Sequence, residues 1–188
     1  KYQQYIACLD PLGEDRGKTP YALNPEQYGM FLTELFNLWY EDWKKGEQPY
    51  IRQFENYIGI LLGYQPESCE QRGSCGTQNV VEADGSVYPC DFYALDEYKL
   101  GNFNCNRLEE IDKKRKEIAF VEQSQIVAEN CKNCKFYKIC KGGCRRNKDF
   151  NAMNGEYENY FCKSYRIFFD ICLERMIQIV EIIKNQKG

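Results

Sequence analysis

Cys131-Lys132-Asn133-Cys134-Lys135-Phe136-Tyr137-Lys138-Ile139-Cys140-Lys141-Gly142-Gly143-Cys144 sets four thiols within fourteen residues, in a chain of 188 residues with eleven cysteines and no histidine. That composition points to a thiolate-only metal site. Cys69, Cys75 and Cys90 lie upstream and Cys162 downstream, so eight cysteines can supply two four-thiolate sites. Such sites hold zinc or iron–sulfur clusters. A zinc ribbon carries two Cys-x2-Cys pairs separated by a longer gap. Here Cys131 and Cys134 make one such pair, and the gaps leading on to Cys140 and Cys144 are five and three residues. The spread from Cys69 to Cys162 suits the corners of a cubane cluster better, while spacing alone leaves zinc open.

The rest of the composition narrows the classes. A net charge of −3 offers no basic field for nucleic acid. The short clusters Lys113-Lys114-Arg115-Lys116 and Arg145-Arg146 read as a solvated helix face and a loop. The N-terminus lacks the charged-then-apolar pattern of a signal peptide. The longest apolar patch, Tyr57 to Tyr64, falls far short of the ~20 residues that span a bilayer. A soluble, cytoplasmic chain is expected, and closely spaced cysteines there are metal ligands more often than disulfides.

Gln4 to Leu9 reads as a buried strand ending at Asp10-Pro11-Leu12-Gly13. With no partner strand nearby, it is expected to complete a sheet formed by a preceding segment. Asn24-Pro25-Glu26 starts a helix that closes at Lys44-Lys45-Gly46, with Phe31, Leu35, Trp39 and Trp43 sharing a face. A second helix runs from about Ile51 to Leu62. Asp84-Gly85 between two β-type runs marks a hairpin that brings Cys75 and Cys90 together at its open ends. Arg107 to about Gln123 reads as one charged helix, the cysteine run as an irregular loop, and Asn154-Gly155 as a turn. A long helix from about Tyr157 to Lys184 closes the chain. Cys8, Cys105 and Cys172 fit no site and are expected as buried, inert thiols.

The pattern Cys75-x9-Gly85-x4-Cys90, then Cys131-x2-Cys134-x5-Cys140-x3-Cys144, then Cys162 resembles the SPASM signature, the auxiliary-cluster domain of radical SAM enzymes that modify peptides. Cys90-Asp91-Phe92-Tyr93, Tyr98-Lys99-Leu100-Gly101-Asn102 and the additional Cys69 resemble, within that family, the anaerobic sulfatase-maturating enzymes. The resemblance implies an α+β fold. Residues 1–64 would end a partial (β/α) barrel, 65–165 would form the SPASM domain with its hairpin, and 166–188 would form the closing helix. It implies two [4Fe–4S] clusters, one held by Cys69, Cys75, Cys90 and Cys144, the other by Cys131, Cys134, Cys140 and Cys162. The family's SAM-cleaving Cys-x3-Cys-x2-Cys motif is absent from these residues. S-adenosylmethionine and a third [4Fe–4S] cluster would therefore belong mainly to a missing N-terminal half, and this chain would be inactive alone.

The reaction implied is oxidation of a cysteine or serine of a sulfatase polypeptide to Cα-formylglycine, with the auxiliary clusters accepting the substrate electron. Asp91 is the implied proton acceptor, since the family has an aspartate directly after this cluster ligand and a base must reach its proton. Leu9 is a candidate contact to the adenine of S-adenosylmethionine, because ligands of parallel barrels meet the carboxyl ends of strands. A ferredoxin or flavodoxin would be the external redox partner of a monomeric enzyme. The alternatives are a non-catalytic electron-transfer or zinc-binding module and a different SPASM peptide-modifying enzyme.

Overall fold

Three helices from the two ends of the sequence meet in one aromatic core. The computed structural model describes residues 1–186. After a short strand β1 (Tyr2–Gln3), helix α1 (Pro25–Lys45) begins with a capping box: the Asn24 side chain accepts the Gln27 N–H at 2.8 Å and Gln27 accepts the Asn24 N–H. Strand β2 (Tyr50–Ile51) leads into α2 (Arg52–Leu61), and α8 (Cys162–Gln186) closes the fold. Phe36, Phe54, Tyr57, Phe168 and Phe169 interlock between these helices, with the Phe36 and Phe54 ring centroids 5.3 Å apart and edge-on.

The buried face of α1 is Tyr28, Leu32, Phe36 and Trp39, one step away from the expected Phe31-Leu35-Trp39-Trp43 stripe, and Phe31 is 38% exposed. Both stripes have the three- or four-residue spacing of a helix face and share Trp39, so periodicity alone does not choose. The choice is made by Gly29, where an added Cβ would sit 3.0 Å from Ser164 Cα on α8. Ser164 Oγ also donates to Pro25 O at 2.5 Å. The backbone of α8 thus lies directly on Gly29 and turns Tyr28 and Leu32 inward.

The N-terminal strand differs from expectation. β1 covers Tyr2–Gln3 and pairs in parallel with β2, Tyr2 opposite Tyr50 and Gln3 opposite Ile51. Gln4 to Leu9 joins no ladder, and Tyr5, Ala7 and Leu9 pack against the core while Ile6 is exposed. The partner β2 thus belongs to Tyr2–Gln3, ahead of the expected strand, and Gln4–Leu9 itself has no ladder partner among the described residues.

Between α2 and α8 lies a small cysteine-bearing region. It comprises α3 (Cys69–Arg72), β3 (Val80–Val81), β4 (Ser86–Tyr88), β5 (Gly101–Asn102), α4 (Leu108–Glu117), α5 (Phe120–Ser124), α6 (Glu129–Lys132), α7 (Tyr137–Cys140), β6 (Lys148–Asn151) and β7 (Glu156–Asn159). The expected hairpin is β3–β4, with Val81 opposite Val87. Its turn is a three-residue one, with Gly85 at φ 85° and the Gly85 N–H on Glu82 O. A third strand, β5, adds to β4. The expected charged helix is two helices, α4 and α5, broken at Ala119, which takes φ 47°. The long terminal helix begins at Cys162 instead of Tyr157, because residues 156–159 pair with β6 as a hairpin around Asn154-Gly155.

Candidate metal centre

Cys69 starts α3, which is docked on α2. The Asn56 side chain accepts the Glu67 N–H at 2.7 Å, and the buried Gln71 amide donates to Gln53 O at 3.0 Å. Cys75 is held by its N–H, which donates to Ser124 Oγ at 2.8 Å. Cys90 follows β4, directly before a 3-10 turn over Asp91–Tyr93. These three and Cys144 line one cavity of about 310 Å³, whose wall also includes Leu9, Gln71, Asp91, Tyr93 and Arg145.

Cys144 reaches that cavity because the chain reverses after Cys140. Lys141, Gly142 and Gly143 have φ of 54°, 80° and 72° in succession. Asn159 locks the reversal by donating to Gly142 O at 2.9 Å, and a Cβ on Gly143 would collide with that amide. Two thiols four residues apart therefore point to different places. Cys140 stays with the run, at the end of α7, while Cys131 sits on α6, Cys134 just beyond it, and Cys162 on the first turn of α8.

The electrostatic couplings among the thiols fall into the same two groups. Burial pushes the Cys90 thiol up to about 12, reinforced by the Asp91 carboxylate, which accepts the Cys90 S–H at 3.1 Å, and then by Cys75. Burial raises Cys75 and Cys144, and Cys69 adds to both. Cys140 is raised to about 12 by burial, then by Cys162 and Cys131. Cys131 is raised by burial, Cys162 and Cys134. Cys162 is an exposed residue, yet its sulfur is sheltered enough for burial to raise it, with Cys134 contributing. Burial thus disfavours the thiolate of Cys75, Cys90, Cys131, Cys140, Cys144 and Cys162, and a bound metal would favour it.

Among the described residues, no three Cys, Asp or Glu side chains are close enough together to hold a single metal ion. A tetrahedral zinc site with Zn–S of ~2.3 Å would set its sulfurs about 3.8 Å apart. A cavity of about 310 Å³ lined by four thiols has room for a multi-atom cluster. The donor set, sulfur alone, is the one such clusters use.

Asp91 is exposed and lies on the shared wall of this cavity and a second, more open one of about 510 Å³. Leu9, half-buried, lines both, as do Ile6, Ala7 and Phe92. Cys8 and Cys105 are exposed, contrary to expectation, and Cys172 alone of the three remaining thiols is buried. The arginines of the basic clusters are also not simply solvated. Arg115 is buried against Asn79, and Arg146 is buried against Asp10 O. Arg145 lies over the Phe120 ring at 4.5 Å and the Tyr93 ring at 5.3 Å while donating to Phe120 O at 2.8 Å. Ser124, Gln71 and Asn159 shape the site without any sequence signal. Arg145 had one, its place beside Cys144.

Residues 69–135, which hold three of the four thiols lining the cavity, match the family model of SPASM, an iron–sulfur cluster-binding domain. The chain resembles the anaerobic sulfatase-maturating enzymes. It is 45% identical over 184 residues to the cysteine-type enzyme of Clostridium perfringens (strain 13 / Type A), covering 98% of this chain and 50% of that protein. It is 32% identical over 179 residues to the serine-type enzyme of Bacteroides thetaiotaomicron, covering 94% and 42%. The solved structure of native anSMEcpe with bound AdoMet and the Cp18Cys peptide superposes with a TM-score of 0.87 at 43% identity, over 96% of this chain and 50% of that one. The chain spans about half the length of the curated relatives it matches. Among the described residues no helix is long and apolar enough to cross a membrane.

Proposed function

We propose that this chain is the auxiliary-cluster half, C-terminal in the whole protein, of a radical SAM oxidoreductase that converts a cysteine or serine of a sulfatase polypeptide to Cα-formylglycine. The observation that carries the reading is the single cavity gathering Cys69, Cys75, Cys90 and Cys144 with Asp91 and Leu9 on its wall. Those four cysteines would hold one [4Fe–4S] cluster, and Cys131, Cys134, Cys140 and Cys162 a second. When bound, the clusters supply an electron sink, and S-adenosylmethionine with a third cluster, held by the preceding half, supplies hydrogen abstraction.

Asp91 would take the proton lost by the substrate side chain. Its Oδ1 accepts the Cys90 S–H at 3.1 Å. Cys90 would hold a cluster as the thiolate, without that proton, which would leave the Asp91 carboxylate oxygen free on the wall of the adjoining cavity. Leu9 would lend an apolar edge to the adenine. The parallel β1–β2 pair, with the segment that runs on to Leu9, supports placing residues 1–64 at the end of a partial barrel, 65–165 as the cluster domain and 166–188 as its closing helix. The higher identity to cysteine-type than to serine-type relatives favours a cysteine target. We take the whole enzyme as a cytoplasmic monomer served by a ferredoxin or flavodoxin.

The test is Asp91→Asn in the full-length enzyme. Formylglycine on a cysteine-containing sulfatase peptide should fall by a factor of about 10²–10⁴, the usual contribution of a positioned base, with iron and sulfide unchanged. Wild-type turnover would refute the assignment of Asp91. Zinc without sulfide in the anaerobically purified protein would refute the cluster reading.

A further inference from the structure

Lys148 is tied to segments that carry thiols of both sets. It opens β6 opposite Asn159, whose side chain bonds Gly142 O between Cys140 and Cys144 and accepts the Phe161 N–H just before Cys162. The Lys148 Nζ donates to Ser124 O at 3.0 Å and to Ile126 O at 3.1 Å. Ser124 Oγ in turn accepts the Cys75 N–H, and the chain beyond Ile126 runs into α6 with Cys131. Lys148 Cε lies 4.0 Å from the place a Cβ on Gly142 would take. Lys148 forms no ion pair with any carboxylate among the described residues, unlike Lys132, Lys135 and Lys163, which each have one. Burial lowers the Lys148 pKa, while Cys131 of one set and Cys144 and Cys75 of the other favour its charged form.

We propose that Lys148 is a charge-setting residue shared by the two cluster sites, its ammonium favouring the reduced form of both clusters at once. The proposal rests on the two-cluster reading above. Reduction adds negative charge to a cluster, and cluster potentials respond to the net charge around them. For any redox centre, a unit charge about 10 Å from it across an effective dielectric of about 20 would change a one-electron equilibrium by on the order of tenfold. A cation tied to segments of both sites would move both potentials in the same direction. It sets their common level and leaves the gap between them, which directs electron flow, to other groups.

The experiment is Lys148→Met in the full-length protein, anaerobically reconstituted, with iron and sulfide counted. The midpoint potential of each auxiliary cluster is read by redox titration followed by EPR, setting aside signals that respond to S-adenosylmethionine. The expected result is unchanged iron and sulfide, with both reduction constants lowered about tenfold, equivalent to about 59 mV for one electron. Lys148→Arg should keep the wild-type potentials. If Lys148→Met loses iron, Lys148→Gln, which retains a donor for Ser124 O, carries the same readout. Unmoved potentials, a shift confined to one cluster, or an equal shift in Lys148→Arg overturns the proposal. Failure of the underlying reading is separable, because a wild-type protein without two auxiliary clusters is recognised before any variant is made.

Discussion

Gly143→Ala isolates the turn that sends Cys140 and Cys144 to different sites. The native φ of 72° costs an L-residue about 1–2 kcal/mol. The new Cβ also meets Asn159 Nδ2 and stands 3.6 Å from Tyr165 Cε2, in a buried setting. Displacing that amide leaves Gly142 O without its partner, which adds about 1–3 kcal/mol. The sum, about 2–5 kcal/mol, is a large part of the ~5–15 kcal/mol that holds a domain together. Gly155→Ala is the internal control: its φ of 73° is nearly the same, but an added Cβ meets nothing within 4 Å, so only the ~1–2 kcal/mol backbone cost applies. Urea unfolding of both variants, compared at constant m, gives the difference directly. In an Asn159→Ala background the collision is gone, and Gly143→Ala should fall to the cost of Gly155→Ala. Equal destabilisation by the two glycine variants in the native background would refute the locked-turn argument.

Two further outcomes follow from the core and the N-terminal loop. Phe168→Ala removes a side chain with no exposed area that packs on Phe36, Phe54, Tyr57 and Phe169, and should cost about 3–5 kcal/mol, a fall of roughly 6–20 °C in melting temperature by calorimetry. Burial opposes ionisation of Asp10, but hydrogen bonds from Thr19 and Gly17 outweigh it and hold the carboxyl down at about 2. A folded value below the ordinary 3.8 means the ionised clasp stabilises the loop above about pH 4 and is lost as pH falls through about 2. Exchange of the Gly17 and Thr19 amides should accelerate across that window in the wild type and be fast throughout in Asp10→Ala; a flat profile in the wild type would refute the clasp.

Local chemistry was legible in the sequence wherever neighbouring residues carried it. The capping residues of α1, the Asp84-Gly85 hairpin and the Asn154-Gly155 turn lie where short-range rules place them. Elements that depend on distant partners were read less well. β1 and β2 are two-residue strands paired across 47 intervening positions, and β5 joins β4 from beyond the cysteine at position 90. The charged helix breaks at Ala119, an ordinary helix former held at positive φ, where Phe120 packs under Arg145 and Tyr93.

The sequence by itself determined the donor chemistry: many thiols, no imidazole, and a spacing that resembles one family. It also placed Asp91 next to Cys90. Tertiary structure alone decided which thiols share a cavity, because that depends on the left-handed turn at Lys141–Gly143 and on the Asn159 amide that holds it from another hairpin. It also decided which stripe of α1 is buried, through the contact of Gly29 with Ser164, and it bound Lys148 to the carbonyls of a segment more than twenty residues away. Residue type and spacing are properties of the chain and can be read along it. Proximity across the fold is created by packing, and no local pattern encodes it.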